Sequence, residues 1–108
     1  MAWRIRDRAT FEALRRSPHR ARRGPVTVSY VGTGDGPARV AYAVGRRVGG
    51  AVVRNQVRRR LRAIVAELEA TVPGAYLLAV GPDSAAVRYP DLKQQVTDAM
   101  AAASRRRR

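Results

Sequence analysis

From Ala51 to about Ala70 the chain runs without a glycine or a proline, between the glycine-rich Gly45–Gly50 and the stop Pro73-Gly74. This stretch predicts the longest helix of the protein. At 100° per residue Val53, Val57, Leu61, Ile64 and Leu68 fall within about 80° of one another. Such a stripe has to bury against something, so the rest of the chain must supply a surface for it. Beside it Arg54, Arg58 and Arg62 recur at i, i+4 and i+8, with Asn55 and Arg59 widening the basic face. Like charges four residues apart destabilise a helix by a few tenths of a kcal/mol per pair, roughly. Glu67 and Glu69 come too late to relieve them. Most charge runs are merely solvated faces, but this one lacks the alternating acids of a salt-bridged surface helix and directly follows a basic, glycine-rich segment. We read it as a surface for a polyanion.

The whole chain points the same way. Its 108 residues hold 22 Lys and Arg against 8 Asp and Glu, a formal charge of +14, and 21 of the 22 cations are Arg. Residues 1–62 carry 16 Arg and 3 acids, whereas residues 63–108 carry 6 cations and 5 acids. Arginine suits RNA, because its planar guanidinium grips phosphate oxygens in pairs and stacks on unpaired bases, and Asn can bond a base edge or a 2′-hydroxyl.

Several classes of chemistry are excluded or disfavoured. There is no cysteine, and His19 is the only histidine, so a thiolate nucleophile, a cysteine zinc site and a histidine-based site lack their parts. The acids Asp7, Glu12, Asp35, Glu67, Glu69, Asp83, Asp91 and Asp98 show no motif that pairs them for two-metal hydrolysis. No run approaches the roughly 20 apolar residues of a spanning helix, and MAWRIRDR lacks the apolar stretch of a secretory signal. No membrane partner and a cytoplasmic location are the expectations.

The remaining elements follow from local pattern. Asp7 or Thr10 can cap a short helix that carries Phe11 and Leu14 and ends before Pro18. Arg20 to Pro25 reads as a basic loop. In Val26-Thr27-Val28-Ser29-Tyr30-Val31 the period of two puts Val26, Val28 and Tyr30 on one face of a strand. Turn formers from Gly32 to Pro37 lead into the strand Arg39 to Val44, which predicts a hairpin of the two. Gly45 to Gly50 reads as a flexible basic loop, and Ala75 to Val80 as a central strand covered on both faces or strongly on one. After Pro90, the residues Leu92, Val96, Ala99, Met100 and Ala103 recur at helical spacing. The order helix-strand-strand-helix-strand-helix predicts a small α+β sandwich, a single RNA-binding domain over 1–104 with a basic, disordered tail at 105–108.

The run Gly45-Arg46-Arg47-Val48-Gly49-Gly50-Ala51-Val52-Val53-Arg54-Asn55-Gln56-Val57-Arg58-Arg59-Arg60-Leu61-Arg62 resembles the signature of the bacterial ribonuclease P protein family. In that family two basic residues precede a turn and an Arg-Asn-rich helix, and the order of the other elements is similar over nearly the whole chain. The resemblance implies a protein subunit that partners a catalytic RNA, ribonuclease P RNA, and assists 5′-end maturation of precursor tRNA, with no obligate protein partner. It implies that Arg46, Arg47, Arg54, Asn55, Arg58, Arg59 and Arg62 contact RNA, and that no residue of the chain is catalytic. Mg²⁺ would be held mainly by the RNA, with none bound tightly by the protein alone. It further implies a cleft between the first helix and the sheet for the single-stranded 5′ leader, walled by Phe11 with Tyr30 as a second aromatic, and a left-handed β-α-β crossover. For both aromatics a place in the core is the competing reading.

Some positions depart from the family pattern. Gln56 stands where a third basic residue is common, Arg15 where a second aromatic is common, Gly45 where Ser is common and Gly50 where Asn is common. Three rival functions accompany the resemblance: a small ribosomal-type protein, a DNA-binding helix, and a protein-only nuclease, for which the carboxylate cluster is missing.

Overall fold

The structure is a computed structural model that describes residues 3–5, 7–32, 37–68 and 72–105. Its elements are β1 (Trp3–Arg4), α1 (Arg8–Arg16), β2 (Arg20–Arg23), β3 (Val26–Val31), β4 (Arg39–Val44), α2 (Ala51–Glu67), β5 (Ala75–Val80) and α3 (Tyr89–Arg105). They form an α+β sandwich around one five-stranded mixed sheet in the order β1-β4-β5-β3-β2.

The predicted hairpin of Val26–Val31 with Arg39–Val44 is not formed. β5 lies between them, antiparallel to β3 and parallel to β4. The physical reason is burial. β5 is the most continuously apolar strand, and only a central position covers both its faces. β3 instead makes its hairpin with β2, so the segment expected to be a basic loop is an edge strand whose register runs from Arg20 opposite Ser29 to Arg23 opposite Val26. The tight turn between them uses Gly24 at φ 57°, where a Cβ would also lie 2.5 Å from the Gln95 amide nitrogen. The parallel pair β4 and β5 is joined through α2, a β-α-β crossover.

Strand pleating divides the side chains between two cores. On one face Val26, Val28, Tyr30, Val40, Tyr76 and Leu78 meet Val57, Leu61, Ile64 and Val65 of α2 and Leu92, Val96, Ala99, Met100 and Ala103 of α3. The apolar stripe read along α2 is this buried face, with Val53 and Leu68 at its margins. On the other face a smaller cluster of Ile5, Leu14, Ala41 and Ala75, with Phe11, Val31 and Leu77 beside it, seats α1.

Helix ends follow local chemistry. Asp7 caps α1 by accepting from the Thr10 amide at 2.9 Å and from the Thr10 hydroxyl. α2 stops at Glu67, a turn earlier than Ala70, with Leu68 in extended conformation. α3 includes Arg105, so the expected tail loses its first residue to the helix; residues 106–108 lie outside the described residues. No helix among the described residues is long and apolar enough to cross a membrane.

Candidate nucleic-acid interface

The apolar stripe of α2 fixes its rotation on the sheet, and that rotation decides where the arginines go. Arg54, Arg58 and Arg62 emerge along the flank beside β4. Arg58 reaches the Asn55 side-chain oxygen at 3.2 Å and, more weakly, the Val44 carbonyl at 3.5 Å. The Arg62 guanidinium carbon lies 5.9 Å from the ring centroid of Tyr42, within cation–π range. Burial raises the Tyr42 hydroxyl above its ordinary pKa, with Arg62 acting in the opposite sense, so the ring stays neutral beneath the cation. Arg54 is half-buried, and its Nε is buried with no hydrogen-bond partner among the described residues. Asn55 and Arg59 are exposed.

Arg46 and Arg47 also stand exposed, on a single 3-10 turn (Arg46–Val48) that links β4 to α2. This segment was expected to be a flexible loop. It is an ordered turn, because Val48 is buried in the main core and Val48 N bonds the Gly45 carbonyl at 3.1 Å. Gly49 has φ 154°, and a Cβ there would come within 2.9 Å of the Val53 side chain, so only glycine lets the turn run straight into the helix. The next glycine, Gly50, is the N-cap, without a side-chain hydrogen bond.

Among the described residues no acid pairs with this surface. The three ion pairs found among the described residues use Arg15 with Glu12, Arg39 with Asp7 and Lys93 with Glu67. None takes an arginine of α2 or of the turn before it. Among the described residues no group of three or more His, Cys, Asp or Glu side chains gathers as a metal site.

The second region is the face of the sheet that carries α1. Register places three rows of side chains across it: Val31, Ala75 and Arg39; then Arg20, Ser29, Leu77 and Ala41; then Arg22, Thr27, Ala79 and Ala43. α1 covers the first rows through Leu14 and Phe11. The third row lies beyond that cluster, a floor of small side chains in which Ala43 is exposed and Thr27 and Ala79 are half-buried. Phe11 is half-buried at the boundary, packed on the α1 cluster while part of its surface remains accessible. β4 leads directly from Ala43 into the turn carrying Arg46 and Arg47. Open floor and basic turn therefore share one end of the sheet.

Tyr30 is not part of this groove. It points to the opposite face, is fully buried, packs at a tilt against Tyr76 and donates its hydroxyl to the Pro73 carbonyl at 2.6 Å. Pleating puts it with Val26 and Val28, and that face is the one under α2 and α3; the expectation of a second aromatic wall is corrected. Arg20 and Arg22 border the same face from the edge strand β2, where the sequence predicts a loop. The signal available was Ala21, the one apolar residue within a basic run, which is buried opposite Val28.

Comparison with known proteins agrees with this architecture. The family model described as Ribonuclease P matches residues 1–104. The ribonuclease P protein component of Nocardioides sp. is 46% identical over 82 residues, covering 73% of this chain and 70% of that protein. That of Thermobifida fusca is 36% identical over 114 residues, covering 96% and 78%. Among solved structures, the Staphylococcus aureus RNase P protein superposes with a TM-score of 0.81 at 17% identity, covering 95% of this chain and 96% of that one. The Thermotoga maritima RNase P protein gives 0.78 at 17%, with 88% and 92% covered. The structural likenesses speak for the fold, the sequence likenesses for descent, and together they place this chain in the ribonuclease P protein family.

Proposed function

We propose that this chain is the RNA-binding subunit that joins ribonuclease P RNA to its precursor tRNA substrate in 5′-end maturation, and that it contributes no catalytic group of its own. Arg46, Arg47, Arg54, Asn55, Arg58, Arg59 and Arg62 contact the catalytic RNA. The single-stranded 5′ leader lies in the groove beside α1, against Phe11 and over the small side chains of Thr27, Ala79 and Ala43. Mg²⁺ is held mainly by the RNA, and the protein lowers the repulsion between two polyanions. A cytoplasmic setting goes with this reading.

The observation that carries the reading is an arginine flank of α2 that no described acid pairs with, preceded by a basic turn at the end of the sheet where small side chains floor the open face beside α1. Guanidiniums supply affinity that depends on salt, through release of counterions from phosphates. The exposed part of Phe11 supplies a stacking surface for an unpaired base.

Reconstitution tests it. Bacterial ribonuclease P RNA and precursor tRNA are mixed at low Mg²⁺ with and without the protein, and 5′ cleavage is followed. The expected result is cleavage rescued by the protein and absent with RNA-free protein alone at any Mg²⁺ concentration. Binding to structured RNA without rescue would instead favour a ribosomal-type RNA-binding protein, and cleavage by the protein alone would indicate a protein-only nuclease.

A further inference from the structure

The flank of α2 opposite the Arg54, Arg58 and Arg62 stripe carries a second feature. At 100° per residue Ala63, Gln56 and Arg60 lie about 180° to 240° round from Arg54, with Arg59 on the ridge between the flanks. There α2 and the first turn of α3 border an open groove of about 420 Å³, lined by Gln56, Arg59, Arg60, Ala63 and Tyr89.

Two walls of the groove are already fixed. The Tyr89 hydroxyl donates to Glu67 Oε1 at 3.2 Å, and Glu67 Oε2 pairs with Lys93 Nζ at 2.9 Å. The Arg60 guanidinium donates to the Val87 carbonyl. An aromatic ring and a cation are thus held in place before any ligand arrives, so binding there orders little more of the protein. The third and fourth positions are free: Gln56 and Arg59 are exposed and their side chains have no hydrogen bond or ion pair among the described residues. Glu67, the acid bonded to Tyr89, is neutralised by Lys93, so the groove keeps a net positive charge.

This set of groups has one economical match. A ring offers stacking to any base, guanidiniums take a phosphate, and a free amide carries both a donor and an acceptor for a base edge. An acidic peptide would use the cations but leave the amide and the ring without work. We propose that the groove between α2 and α3 is a second RNA site, seating one unpaired nucleotide with its base on Tyr89 and against Gln56 and its phosphate on Arg59. α2 then grips RNA by both flanks. The inference rests on the RNA-subunit reading above and adds a site to it.

The test measures affinity of the full chain for ribonuclease P RNA across a salt series, with thermal denaturation of each variant. Tyr89→Ala should weaken binding about tenfold at every salt concentration, because stacking releases no counterion, whereas Arg59→Ala should also flatten the salt slope by about one ion. Tyr89→Phe keeps the ring, loses only its tie to Glu67, and should weaken binding far less than Tyr89→Ala. Gln56→Glu, on an exposed position that does not hold the fold, should weaken binding far more than Gln94→Glu on the exposed face of α3. The proposal is overturned if folded Tyr89→Ala binds like the parent, if Tyr89→Phe loses as much as Tyr89→Ala, or if the two glutamate variants are equivalent. Should Tyr89→Ala unfold, the glutamate pair decides alone. Arg54, Arg58 and Arg62 changed together to Ala serve as the reference: unaffected binding in that variant would fail the RNA-subunit reading itself, not the groove.

Discussion

Tyr30 and Tyr76 face each other across β3 and β5 with ring centroids 4.9 Å apart and planes tilted by 57°. Their hydroxyls run to neighbouring carbonyls, Tyr30 to Pro73 and Tyr76 to Val72, each at 2.6 Å. The pair ties the start of β5 to the centre of the sheet. Tyr30→Phe keeps the ring contact and leaves the Pro73 carbonyl without this donor, which costs about 1–3 kcal/mol if the carbonyl stays dry. Leader-dependent binding should not change. Chemical denaturation together with titration of precursor and mature tRNA checks both halves; a selective loss of precursor affinity in a variant of near-parental stability would put Tyr30 back in the groove.

The two faces of α2 should fail differently. Changing Arg54, Arg58 and Arg62 to Ala removes like-charge repulsion and keeps helix propensity, against the loss of the weak Val44 contact and the Tyr42 contact. The domain should stay folded while RNA affinity drops severely and the salt slope flattens by up to about three ions. Leu61, fully buried, should behave in the opposite way: Leu61→Ala costs about 2–5 kcal/mol of stability and impairs binding only through unfolding. Thermal denaturation and RNA titration of both variants are the measurements, and an unfolded arginine variant beside a stable Leu61 variant would invert the assignment.

Phe11 should separate leader binding from general RNA binding. Phe11→Leu retains an apolar contact with Leu14 and the α1 cluster but removes the stacking plane. Its affinity for precursor tRNA in the holoenzyme should fall by several-fold, within the roughly 1–3 kcal/mol ascribed to a base stacked on an aromatic. Affinity for mature tRNA should hold. Equal losses for the two substrates would confine Phe11 to the core of α1.

Acid should loosen α1 first at its cap. The Thr10 hydroxyl and then the Thr10 amide, both bonded to the Asp7 carboxylate, hold its pKa below the ordinary value of 3.8, with Arg39 adding to the effect. A lowered folded-state pKa means that the capping contribution is complete above the unfolded value and is lost as pH falls through the folded one. Hydrogen exchange at the Thr10 amide should therefore accelerate below about pH 4 more steeply than at mid-sheet amides, beyond the intrinsic pH trend of exchange. Asp7→Asn keeps a capping oxygen without a titrating group and should abolish that excess. An unchanged excess in Asp7→Asn would assign it to another carboxylate.

The sequence by itself determined whatever depends on neighbours within a turn or two of chain. The stripe Val53, Val57, Leu61, Ile64 and Leu68, the arginine stripe beside it and the common face of Val26, Val28 and Tyr30 all follow from backbone periodicity, which is set locally, and a cap for α1 is legible as Asp7 or Thr10, of which the structure uses Asp7. The central place of Ala75–Val80 was legible for the same reason, since a strand apolar on both faces has nowhere else to go. Tertiary structure decided which elements meet. Whether Val26–Val31 pairs with Arg39–Val44 or admits β5 between them depends on burying β5, and no turn signal at Gly32–Pro37 encodes that. Likewise Arg20–Arg23 became a strand because Ala21 could be buried opposite Val28, although its charges resemble a loop. Tyr30 went to the main core and Phe11 to the margin of the α1 cluster because helices α2 and α3 took one face of the sheet and α1 the other, a choice made by the sum of buried area on each face and not by either aromatic alone.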